Sequence, residues 1–378
     1  MLTSFDVSTG REQWHVGSSA LGRGHLDPAF LSRDVVVFAR RRCFSQDRTY
    51  RRGDSELVAL DASDGSQRWL LRDVGRESSR SSARGDVPDW AMQVSSMPTI
   101  PVYQQRRHRL RGVSPRDGHE LWNVDAARLT PRAGDARVIV LTTALGSLPG
   151  RAHATPGTVR AVDVRTGRTL WTVTYGAADR IIAVASSAEG VGVVRATGDP
   201  PTDAGLELLD GATGTRRWVV PLSAPAPAIL NVTTAGNRFV VGSAFGASTY
   251  SGIDGSLLWR DPAYLMTGGP GVSAKGSRLF VPHLVFAPGN VDVDRVDALD
   301  AGSGAVVWQT PNGSGVVGTG ETIAGYGQFT PDRRVLTATF ATAVDGHVLW
   351  RRSVPQSGLS IGPAGVYSAT GCPATNLD

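Results

Sequence analysis

Eight of the nine tryptophans in this 378-residue chain stand four positions after a glycine. The pairs are Gly10 and Trp14, Gly65 and Trp69, Gly118 and Trp122, Gly167 and Trp171, Gly214 and Trp218, Gly255 and Trp259, Gly304 and Trp308, and Gly346 and Trp350; only Trp90 stands outside the register. Glycine fills 45 of 378 positions, about one in eight, so chance does not produce eight such pairs. Successive marked tryptophans are 55, 53, 49, 47, 41, 49 and 42 residues apart, the period of a repeat in which each unit is a small four-stranded sheet.

The residues around each glycine describe a turn. Immediately before it stands Thr9, Asp64, Asp117, Thr166, Thr213, Asp254, Ser303 or Asp345, and four positions before it Asp6, Asp61, Ser114, Asp163, Asp210, Ser251, Asp300 or Thr342. The turn therefore asks for a side-chain oxygen and not for a charge. Such oxygens accept bonds from backbone amides a few residues on, and glycine takes the positive φ that a tight hairpin needs. Each motif reads as a strand, a turn and a second strand carrying the tryptophan. Runs at 57–60, 159–162 and 296–299 precede the turns, and runs at 35–39, 138–142, 238–242 and 278–282 lie earlier in their units; all are strand-forming. With 45 glycines and 22 prolines, long helices are not expected.

A repeated four-stranded sheet cannot cover both faces by itself, so neighbouring units must pack face to face, and a ring of them leaves no long exposed edge. The expected fold is an all-β, eight-bladed propeller of antiparallel blades, forming one domain over residues 1–378. Only thirteen residues precede Trp14, room for half a blade, while residues 358–369 supply a strand pair with nothing after it. A composite blade from residues 1–17 and 356–378 is the expected closure.

Asp163-Val-Arg-Thr-Gly167-Arg-Thr-Leu-Trp171 and Leu60-Asp61-Ala-Ser-Asp-Gly65-Ser-Gln-Arg-Trp69 resemble the tryptophan docking motif of pyrroloquinoline-quinone-like (PQQ-like) propeller repeats. The resemblance spans essentially the whole chain. It implies a fold shared by quinone-dependent alcohol dehydrogenases, by an envelope lipoprotein that assists outer-membrane protein assembly, and by bacterial sensor domains. The dehydrogenase pattern includes adjacent cysteines over the cofactor, a calcium held by carboxylate and amide side chains, and an aspartate base. Here the only cysteines are Cys43 and Cys372, so the expectation is a non-catalytic binding scaffold with no catalytic residues and no cofactor. The alternative is PQQ with calcium, or a small ligand, in the central channel. The resemblance also implies work outside the cytoplasm, although Met1-Leu-Thr-Ser-Phe-Asp6 has neither the basic start nor the apolar stretch of a secretion signal.

Charge marks a candidate partner face. The net charge is +5, and Lys275 is the only lysine. A GC-rich coding bias accounts for arginine over lysine but not for its clustering. Arg40, Arg41, Arg42, Arg48, Arg51 and Arg52 fall in one segment, Arg72, Arg76, Arg80 and Arg84 in the next, and Arg106, Arg107, Arg109 and Arg111 in a third. These belong to the longer loops expected at 39–54, 73–90, 104–111 and 144–157, on the face away from the Gly–Trp turns. Arg41, Arg42, Arg51, Arg52, Arg106, Arg107, Arg109 and Trp90 are the candidate partner-binding residues. An acidic protein surface, anionic lipid or anionic envelope polymer is the expected partner of a monomer; nucleic acid is disfavoured because no recognised module accompanies the charge. Residues 313–318 match a glycine-rich dinucleotide fingerprint without the strand–helix context it needs. Residues 290–294 read as a solvated loop, the histidines show no ligand spacing, and no metal site is expected.

Overall fold

The β-branched runs become strands in the computed structural model. It describes residues 2–17, 21, 25–41, 54–76, 97–104, 107–127, 129–143, 157–176, 178–198, 201–262, 264, 271–272, 278–287, 290–311, 314–319, 323–329, 335–355 and 359–369. The chain is all-β, an arrangement of antiparallel sheets of the β-propeller type. Consecutive strands pair in a meander, as in His25–Leu31, Val35–Arg41, Asp54–Asp61 and Gln67–Arg76. Among the described residues seven sheets have four strands, six of them such meanders. The sheet of Ile100–Gln104, Arg109–Val113 and Glu120–Asp125 has three among the described residues. Helical geometry among the described residues is confined to Leu21, Arg107 and the 3-10 turn Ala226–Ala228.

One sheet joins the two ends of the chain. Its order is Glu12–Val16, Leu2–Phe5, Val366–Ala369, Leu359–Ile361. Leu2 lies opposite Ala369, Thr3 opposite Ser368, Ser4 opposite Tyr367 and Phe5 opposite Val366. Tyr367 is buried beside the Trp14 ring.

The hairpin turns are built as their side chains dictate. Asp6 Oδ1 accepts from the amides of Ser8 and Thr9, and Asp163, Asp210 and Asp300 repeat this arrangement. At Ser251 the hydroxyl accepts from the Ile253 amide instead. Each marked glycine has φ between 66° and 76°. Just beyond it the register shifts, so that the residue before every marked tryptophan forms a β-bulge.

Each tryptophan leaves its own sheet. The Trp14 ring lies over Gly65, Trp69 over Gly118, Trp122 over Gly167, Trp171 over Gly214, Trp218 over Gly255, Trp259 over Gly304, Trp308 over Gly346, and Trp350 over Gly10. A Cβ on any of these glycines would meet that ring at under 3.0 Å. Each indole Nε1 also donates to a carbonyl of the turn it covers, those of Ala62, Pro115, Val164, Gly211, Gly252, Ala301, Ala343 and Val7, at 2.9–3.3 Å. The glycine is thus required twice, for φ and for the ring of the preceding sheet. Hydrophobic clusters run between sheets accordingly. One contains Phe30, Val37, Trp69, Ile100, Trp122 and Ile139.

One sequence expectation is corrected, and the rejection of the dinucleotide fingerprint gains a structural reason. Residues 290–294 belong to the strand Asn290–Asp300, paired with Arg278–Ala287, and not to a loop; Val291 and Val293 alternate with Asp292 and Asp294, which is strand periodicity. Ser314–Thr319, within the glycine-rich stretch, is a strand that pairs with Ile323–Phe329, so no helix follows and the dinucleotide site is excluded.

Candidate partner-binding face

The ends of the strands away from the Gly–Trp turns carry the arginine segments. Several of these positions are strand and not loop. Arg40 and Arg41 close Val35–Arg41, Arg72 and Arg76 lie on Gln67–Arg76, and Arg109 and Arg111 lie on Arg109–Val113. The hairpins run on because Arg40 pairs across to Glu56, and Arg109 to both Gln104 and Asp125. Arg42, Arg51, Arg52, Arg106 and Trp90 lie outside the described residues, as do Cys43 and Cys372.

The segment arginines whose side chains are described, Arg40, Arg72, Arg107, Arg109 and Arg111, divide into two sets. In the first, an ion pair within the fold engages each guanidinium, with Arg40 and Arg72 sharing Glu56. Arg40 donates Nε to Glu56 Oε2 at 2.8 Å and also binds the Leu21 carbonyl. Arg72, with a side chain 74% exposed, sits 3.7 Å from the other Glu56 oxygen. Arg111 Nε lies 2.5 Å from Glu120 Oε2. The Glu120 carboxyl stays below its usual range although burial opposes this, held by Asn123 and Arg111. In the second set are Arg107, in the turn between Ile100–Gln104 and Arg109–Val113, and Arg109. Both are exposed, and no ion pair engages either among the described residues.

Sequence reasoning missed two buried charges on the third strands of their sheets. Glu207, fully buried, accepts the Tyr175 hydroxyl and lies 3.1 Å from Arg216 Nε and 3.5 Å from Arg195 Nε. Asp297 accepts from Tyr264 Oη at 2.9 Å and Arg295 Nε at 2.8 Å. Burial, then the neighbouring carboxylate, pushes both phenols well above the usual tyrosine range. In each case a tyrosine after the last strand of one sheet reaches the third strand of the next. Glu207 and Asp297 both stand three residues before the turn acid, a spacing visible in the sequence but occupied by different residue types from unit to unit.

The repeat chemistry meets its counterpart in known proteins. The family profile described as outer membrane protein assembly factor BamB matches residues 1–155, 106–262, 155–310 and 247–371. The chain belongs to this PQQ-like repeat family. No curated protein sequence matches it. Among solved structures it is similar to a europium-containing methanol dehydrogenase at 12% identity, TM-score 0.50, covering 96% of this chain and 88% of that one. It is likewise similar to a eukaryotic initiation factor at 9% identity, TM-score 0.51, covering 99% of each. BamB from Moraxella catarrhalis is 19% identical with TM-score 0.47, covering 92% of this chain and 89% of that one. An oxidoreductase and an initiation factor on one architecture show a shared fold, not a shared chemistry. Among the described residues, no helix is long and apolar enough to cross a membrane.

Proposed function

We propose that this chain is a non-catalytic binding scaffold, a monomeric eight-bladed propeller of one domain over residues 1–378, closed by its composite blade. It recognises a protein partner through the face opposite the Gly–Trp turns. The match of the assembly-factor profile along residues 1–371 carries this reading. The cycle of tryptophan contacts, ending with Trp350 on Gly10, supports the blade count and the closure. Arg107 and Arg109, exposed and without an ion pair among the described residues, support recognition there. A protein is preferred as partner over an anionic polymer or lipid because protein assembly is what the matching family is described as assisting.

The residues do not fit the dehydrogenase alternative. Cys43 and Cys372 are not adjacent, and among the described residues no group of three His, Cys, Asp or Glu side chains is placed to hold a metal ion. No quinone chemistry follows from these side chains. Two measurements test the reading. A thermal melt with PQQ and calcium should show no shift, and a raised melting temperature would favour the enzyme or sensor. Immobilised full-length chain should retain a stoichiometric protein from its own cell envelope fraction through a moderate salt wash; retention of polymer or lipid alone contradicts a protein partner.

A further inference from the structure

Two strained backbone positions meet beside the unpaired arginines. His108 has φ 49° and Ala127 has φ 47°, and they are the only non-glycine residues with positive φ among those described. The Ala126 amide donates to the His108 carbonyl at 2.7 Å, which ties the turn before Arg109 to the segment leaving Glu120–Asp125. Asp125 Oδ1 accepts from the Ala127 amide at 2.8 Å, and Arg160 of the next sheet donates Nη1 to the Asp125 carbonyl at 3.1 Å. Ala126 is fully buried at the centre of this junction. Strain of this kind persists where the surroundings fix it and gathers at binding sites.

The junction holds Arg107 and Arg109 on either side of a fixed residue, both exposed. Both nearby acids have other partners, although the charge of Arg109 also acts on Glu120 and Asp125 stands opposite Arg109. Glu120 is held by Arg111 and Asn123, and Asp125 by the Ala127 amide. His108 Nδ1 and Arg160 Nε are buried there without a hydrogen-bond partner. We propose that Arg107 and Arg109 form a docking point for an aspartate- or glutamate-rich segment of a partner protein, a site that rests on the binding-scaffold reading. Guanidinium forks on a rigid support suit discrete carboxylates, each of which takes two parallel bonds. A flat anionic bilayer suits the site less, because it would meet Glu120 and Asp125 as well, whereas a peptide sets its carboxylates at the arginines alone.

The test is fluorescence anisotropy with the full-length chain and a labelled peptide of alternating glutamate and serine. The double variant Arg107→Ser and Arg109→Ser should weaken binding about 5- to 30-fold at low salt, the worth of two partly exposed charge pairs. Arg116→Ser with Arg165→Ser removes the same charge from the Gly–Trp turns at the other end and should change affinity less than about 2-fold. Equal losses from the two double variants, absence of peptide binding by the parent chain, or binding only to phosphatidylglycerol vesicles would overturn the site. If the partner captured from the envelope fraction binds the Arg107/Arg109 variant as tightly as the parent, the site falls and the scaffold stands. If neither chain captures a partner, both fall.

Discussion

A single indole in this chain stabilises two sheets. Trp171 is 7% exposed, and a ring of that size buries roughly 150–250 Å², a gross gain of roughly 4–6 kcal/mol before entropy. Trp171→Ala should cost about 3–5 kcal/mol. Gly214→Ala should cost about 2–4 kcal/mol, combining a positive φ with a methyl driven into the Trp171 ring. The ring contact disappears when Trp171 is already alanine, so chemical denaturation of the single and double variants should give a coupling of at least ~1 kcal/mol. Additive losses would place the ring elsewhere. The glycine and tryptophan spacing was legible in the sequence, but the partnership was not, since each ring needs the glycine of the following unit.

The turn carboxylates act at the same scale. Hydrogen bonds from Ser63, then from Arg68, hold the Asp61 carboxyl down at about 2. Asp6, held by Ser8 and Thr9, and Asp210, held by Thr213, also lie below the usual carboxylate range. In the unfolded chain such carboxyls titrate at about 3.9. Their contribution is therefore complete above the unfolded value and lost as pH falls through the folded one. The melting temperature should drop between about pH 5 and pH 2, and Asp61→Asn should make that drop shallower. An unchanged profile in the variant would remove Asp61 from the acid response.

At the scale of strands, the bulge before each tryptophan explains an apparent anomaly. Leu121, Leu170, Leu258 and Val307 occupy that position and are 40–44% exposed, because the extra residue turns them from the core face. Strand length is where the sequence misled. Loops expected at 39–54 and 104–111 begin or end inside strands, since paired arginine and glutamate side chains let the hairpins extend. Arg40, in the same charge cluster, is thus held by Glu56, while the candidates Arg107 and Arg109 stay exposed. Long-range pairing of this kind leaves no local signature in composition. Glu207 is a further case: no hydrophobic pattern marks it, yet it is enclosed by Tyr175, Arg195 and Arg216. Glu207→Leu removes the carboxylate from Tyr175 and Arg216 while Arg195 keeps Asp179, and should cost about 1.5–3 kcal/mol. Tyr175→Phe, which removes one hydrogen bond, should cost about 0.5–1.5 kcal/mol. Urea unfolding of both variants checks the order, which a solvent-exposed Glu207 would not produce.

Over the whole molecule, eight equivalent contacts pass from sheet to sheet and the last returns to the first, Trp350 donating to the Val7 carbonyl at 3.0 Å. The all-β, propeller-type repeat was legible because its Gly–Trp signal occurs eight times. The partner face was legible only as a direction, because recognition falls on the residues that the repeat does not specify. Stability and closure are linked in this scheme, since an open chain would leave Leu2–Phe5 with one unpaired edge.

Closure is tested most directly by a bridge across the composite sheet. Thr3 and Ser368 are small, buried and directly opposite, and antiparallel partners stand about 4.5–5.5 Å apart at Cα, within the range of about 4.4–6.8 Å that a disulfide spans. With Cys43 and Cys372 changed to serine, the Thr3→Cys and Ser368→Cys chain should oxidise to an intramolecular disulfide. It should run as a monomer of altered mobility on a non-reducing gel and melt at a higher temperature than its reduced form. Free thiols after oxidation, or bridges found only in dimers, would contradict a ring closed by the two ends of the chain.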